Sequence, residues 1–167
     1  MSPTVIGFIK ASLLSLAAGI ILGVLLALHV LPEASSPQYL ISAHAHVNLL
    51  GAVMMLIFGV GYHILPRFSG RPLHNESLST VQLWFNVTGL AGMFVALLAA
   101  AYSTADLLRY AVAPFGAIYA IGAVMFVYNM WRTIAGALPA PAPVRPPGGA
   151  PPGGGKPAGP PGTPGNR

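Results

Sequence analysis

Four long apolar stretches, roughly residues 5–30, 39–65, 78–101 and 107–131, set the terms for this chain. Each exceeds the ~20 residues that a helix needs to cross a hydrocarbon core. Composition agrees: 54% of the 167 residues are hydrophobic and only 7% charged, against about 25% charged in soluble domains. The expected fold is all-α, an integral membrane bundle of four antiparallel helices over residues 1–136, with a disordered Pro/Gly-rich C-terminal tail over residues 137–167. The connections are short. Pro66-Arg-Phe-Ser-Gly-Arg-Pro-Leu-His-Asn75 is dense in helix-stopping Pro and Gly, and Asp106 stands where it can cap the fourth helix. The tail has almost no large apolar side chains with which to build a core, and it lacks the strict Gly-x-y period of collagen.

Charge sets the expected topology. Lys10, Arg67, Arg71, Arg132, Arg145, Lys156 and Arg167 fall on one side of the bundle, while Glu33 and Asp106 mark the other. Positive loops stay cytoplasmic, so both termini are expected there, in the cell inner (plasma) membrane. Arg109, just inside the fourth stretch on the outer side, is the discordant charge. The first stretch shares with signal peptides a lone Lys10 and a small-residue Ala34-Ser35-Ser36, but its apolar run exceeds their 7–15 residue core, so it is read as a membrane helix. The formal charge of +5 is scattered over helix ends and tail and forms no stripe for nucleic acid, so the expected partner is the lipid bilayer.

With no cysteine in the sequence, thiolate metal sites, Fe–S clusters and disulfides are excluded, and histidine is left as the strong metal ligand. Of the five histidines, His44 and His46 sit inside an apolar span, where ionisable side chains are costly and tend to mark function. The plainer reading has both at the interface, bonded to headgroups or to Asn48. Residues two apart on a helix differ by about 200°, so one metal cannot easily take both rings. The spacing suits two ligands facing opposite ways, or one ligand and one outer hydrogen bonder. A neutral imidazole in a dry pocket suits haem iron, and copper competes for the same donor. His29 is a weaker member of this outer group. His63 is about 25 Å from His46 along a helix and is a weaker candidate still, better explained by hydrogen bonding beside Arg67. His74 lies in a polar loop. Met54, Met55, Met93 and Met125 are read as packing. No nucleotide loop, Ser-His-Asp arrangement or buried carboxylate pair is present, so no catalytic residue is assigned.

The stretch His44-Ala-His-Val-Asn-Leu-Leu-Gly-Ala-Val-Met-Met-Leu-Ile-Phe-Gly-Val-Gly-Tyr-His-Ile-Leu-Pro-Arg-Phe-Ser-Gly70 resembles the tenth transmembrane helix of haem-copper oxidase subunit I, in which a His-x-His pair precedes a His, a Pro and a Phe-Ser-Gly. Leu73, Trp84, Phe85 and Gly89 are faintly similar to the following helix. Small membrane proteins of nitric-oxide response, which also carry His-x-His helices, are a second possible relative. The resemblance implies that His44 is the ligand of a high-spin haem and His46 of a low-spin haem, with haem b as cofactor and copper as a further metal. The family's roughly twelve helices, His-His pair and Tyr-x-x-x-His have no counterpart in the four stretches here, which argues against oxygen reduction by a lone protomer. Family subunits are built of three four-helix arcs, and this chain resembles one arc. A homo-oligomer is therefore expected, with a trimer as the arrangement those arcs imply and haem held between protomers.

The expected function is a haem-binding membrane protein related to cytochrome c oxidase subunit I, acting in electron transfer or beside a respiratory complex or electron donor. One alternative is a minimal oxidase or nitric-oxide-handling haem or copper enzyme, which would be an oxidoreductase of cytochrome c oxidase type. The other is a cofactor-free assembly or scaffold protein.

Overall fold

The computed structural model describes residues 1–135; the expected tail, residues 137–167, lies outside them. Four helices follow one another: α1 Pro3–Ala27, α2 Gln38–Phe68, α3 Glu76–Tyr102 and α4 Asp106–Ala135. All four are long and apolar enough to cross a membrane, and no strand occurs among the described residues. Large apolar side chains such as Leu14, Ile41, Val95 and Val124 point outward, as a bundle bathed in lipid requires.

The helix ends follow from local chemistry. Ser2 accepts a hydrogen bond from the Val5 amide with Pro3 in the first turn, and Asn75 caps α3 by accepting from the Leu78 amide at 2.9 Å. α1 ends at Ala27, short of its apolar stretch, because His29 adopts φ +53°. The His29 and Val30 amides then bond the Leu26 and Leu25 carbonyls, which closes the helix with a left-handed residue at the position where glycine is usual.

α3 and α4 pack along their whole lengths, and α1 lies along α2. At one end Phe8, Phe58, Tyr62 and Phe126 form an aromatic cluster with ring centroids 4.7 to 5.9 Å apart. The α2–α3 connection is tied to α4 beside it: the Asn75 amide donates to Asn129 Oδ1 at 3.0 Å, Asn129 Nδ2 donates to the Asn75 carbonyl at 2.7 Å, and the His74 amide donates to Thr133 Oγ1. At the other end the Ser36 amide donates to the Ala101 carbonyl at 3.0 Å and fixes the entry of α2 against α3.

α2 is not uniform. Its middle, Val47–Met54, is a π-helix between two α-helical portions, an arrangement rare in proteins and frequent near functional sites. The histidine pair stands immediately before it.

Candidate functional site

Leu40, Ala43 and Val47 form the buried stripe of the first part of α2. Helical rotation of about 100° per residue puts His44 and His46 on the two flanks of that stripe and Ala45 on the lipid side, and Ala45 is indeed exposed while both histidines are half-buried.

His44 turns toward α1. Its Nδ1 lies 3.0 Å from the Gly19 carbonyl, and since a carbonyl can only accept, Nδ1 carries the ring proton. Asn48 Nδ2 is 3.3 Å from the same nitrogen but finds its acceptor in the His44 carbonyl at 2.8 Å. The ring fits because α1 offers glycine there: a Cβ on Gly23 would stand 2.6 Å from His44 Cε1, and one on Gly19 would strike the Asn48 amide. His46 is held by its own helix, with Nδ1–H donated to the Ser42 carbonyl at 2.7 Å and Ser42 Oγ at 3.3 Å. Each imidazole therefore keeps Nε2 as a bare lone pair, with the other nitrogen anchored by a carbonyl. Protein metal ligands commonly have this form, because the anchored N–H fixes the tautomer and raises ring basicity.

The other histidines are elsewhere. His29 is exposed at the end of α1 with Nδ1 bonded to the Ala27 carbonyl at 3.0 Å. His63 is engaged through its ring nitrogens by Arg67 Nη1, and His74 stacks edgewise on Tyr128. Among the described residues no three His, Asp or Glu converge on one point. A cleft of about 680 Å³, lined by Tyr62, His63, Arg67 and Glu76 among others, opens at the opposite end of α2 and involves neither His44 nor His46.

Sequence reasoning missed two features. Arg109, noted only as a discordant charge, is half-buried on α4 near the end at which α2 begins; its Nη1 is 3.6 Å from Asp106, and its Nε is buried without a partner. The second feature is a set of buried polar side chains between helices: Tyr62 donates to Gln82, Gln82 Nε2 to Asn86 Oδ1 at 3.1 Å, and Asn86 Nδ2 to the Tyr119 carbonyl at 3.0 Å. The four-residue spacing of Gln82 and Asn86 within an apolar stretch was the signal available for it.

The family model described as "Cytochrome C and Quinol oxidase polypeptide I" matches residues 1–138. A curated relative, the cbb3-type cytochrome c oxidase subunit CcoN1 of Stutzerimonas stutzeri, is 30% identical over 121 residues, covering 58% of this chain and 26% of the relative. The chain thus spans about a quarter of that relative's length. No solved structure matches it.

Proposed function

The chain belongs to the cytochrome c and quinol oxidase polypeptide I family, and from that premise we propose that it is a haem-binding electron-transfer protein of a respiratory membrane, with Nε2 of His44 and of His46 as iron ligands. The carrying observation is the matched tautomer of the two rings, each with Nδ1–H given to a main-chain carbonyl and Nε2 left free. Since the rings leave α2 on opposite flanks, they serve two separate irons. The proposed haem is b-type; with no cysteine in the sequence, the thioether attachment of a c-type haem is excluded. Bound haem would supply a one-electron iron couple. The protein's part is to fix ring orientation through the Gly19 and Ser42 carbonyls. In this reading a neighbouring protomer completes the axial set in a homo-oligomer. The His44/His46 end faces outward and both termini lie in the cytoplasm, as the distribution of arginines supports.

The test is the optical spectrum of the protein purified after expression with ample haem. A b-type reduced-minus-oxidised spectrum is expected, with its low-spin component removed by His46→Ala and retained in His44→Ala. A colourless protein overturns the proposal. Carbon monoxide separates the enzymatic alternative, since it shifts the spectrum of a five-coordinate reduced haem and leaves a stable bis-histidine haem largely unchanged.

A further inference from the structure

The π-helical turns of α2 accept hydroxyls from two other helices. Ser12 on α1 donates to the Ala52 carbonyl at 2.6 Å, and Tyr119 on α4 donates to the Leu50 carbonyl at 2.8 Å. Both acceptors belong to Val47–Met54. At its start, Asn48 donates to the His44 carbonyl. α1 approaches closely here, for a Cβ on Gly51 would stand 2.5 Å from Ser15 Cβ. Carbonyls in the middle of an α-helix are already engaged by the amide four residues on. In a π turn the ladder is displaced to the amide five residues on, and each carbonyl keeps a second lone pair with which it can accept a side-chain hydroxyl. Side-chain hydroxyls from two other helices thus meet two carbonyls of this one segment.

The segment separates two differently anchored halves. Below it α2 is locked by Phe58 and Tyr62 in the aromatic cluster; above it stand His44 and His46. One extra residue in the winding turns everything beyond it by about 100° relative to an unbroken α-helix. The face that the histidines present is thus set by whether Val47–Met54 is π or α.

We propose that Ser12 and Tyr119 are positioning residues: by holding the Ala52 and Leu50 carbonyls they keep Val47–Met54 in its π form and so fix the direction in which His44 and His46 leave the helix. This deepens the haem reading above and rests on it for its purpose, while the geometric claim is measurable without any haem.

The absence of cysteine from the chain permits site-specific nitroxide pairs in the full-length protein. Leu13 on α1 is paired in one sample with Ile41, above the segment, and in another with Ile57, below it; all three are exposed. In Ser12→Ala/Tyr119→Phe the Leu13–Ile41 distance should change by several Å, up to about 8 Å for a label about 5 Å from an axis turned by about 100°, while Leu13–Ile57 holds. The single variants should move it the same way by less, and they carry the test where the double variant does not fold. Ser12→Thr, which keeps the hydroxyl, should leave both distances at their original values. Tyr62→Phe, which removes a buried hydroxyl that bonds Gln82 and not the π segment, should also leave them.

Unchanged distances in the hydroxyl-deleted proteins, or an equal change in Tyr62→Phe, overturn the proposal. Haem-loaded samples report separately: a shifted low-spin signal in the double variant ties the orientation to ligation. A haem-free protein whose Leu13–Ile41 distance still moves sinks the haem reading and leaves the positioning claim standing.

Discussion

A histidine's two ring nitrogens stop being equivalent once one is given to a carbonyl. For His44 that carbonyl is Gly19's, and the ring lies where α1 has no side chain at Gly23. Gly23→Ala places a methyl 2.6 Å from His44 Cε1, and the ring must leave. Overpacking of this kind costs about 1–3 kcal/mol. The expected result is a less stable protein whose His44-dependent spectral component is lost while the His46 component persists; loss of both together would mean that the rings do not act independently. His29 makes the opposite case. It occupies a left-handed position at φ +53°, where a non-glycine residue carries a strain of about 1–2 kcal/mol. His29→Gly should therefore be neutral or more stable by up to about 1 kcal/mol in a reversible unfolding titration, with an unchanged haem spectrum. A lost spectral component would make His29 a ligand and not a helix terminator.

At the level of elements, buried amides join α2, α3 and α4. Gln82 and Asn86 are fully buried, and removal of one leaves the other's donor or acceptor unpaired, at about 1–3 kcal/mol. In membranes the measured worth of such bonds averages only about 0.6 kcal/mol, because the unfolded helices also find partners. Asn86→Leu is expected nearer 1 kcal/mol than 3, and Gln82→Leu/Asn86→Leu should cost less than the sum of the two single changes. A double-mutant cycle measures this, and strict additivity would show that the bond between them contributes nothing. The same elements mark what a sequence can display. The four spans are legible because hydropathy sums over twenty or more residues and tolerates local exceptions. His44 and His46 are legible because polarity inside an apolar run is conspicuous, and their opposed flanks follow from helical rotation alone. The π segment is not legible: Val47-Asn-Leu-Leu-Gly-Ala-Val-Met54 reads as ordinary helix, and the hydroxyls that meet its carbonyls come from Ser12 and Tyr119, 40 and 69 residues away. Nor could composition show that Arg109 keeps a buried, unpartnered Nε, since that depends on which helices enclose it.

For the whole molecule, the end where Arg67, Arg71 and Arg132 lie is joined into one surface by the bonds from Asn75 to Asn129 and from His74 to Thr133. If that surface is cytoplasmic, a cysteine placed at Ser69 should be protected from an impermeant thiol reagent in intact cells and one at Ser103 should react; the reverse pattern would invert the proposed topology. Association carries a sharper consequence. Among the described residues no three His, Asp or Glu converge, and in the proposed ligation a low-spin, bis-histidine iron draws its second ligand from another copy. Haem ligation and assembly are then one equilibrium, and mass action links them: ligand bound only by the oligomer stabilises the oligomer, and dilution must reverse both together. Sedimentation and absorbance on the same dilution series should show the low-spin spectrum fading over the concentration range in which the oligomer dissociates, with His46→Ala shifting that range to higher concentration. A low-spin spectrum that persists unchanged where the protein sediments as a monomer would place both axial ligands within one chain and remove the reason for assembly.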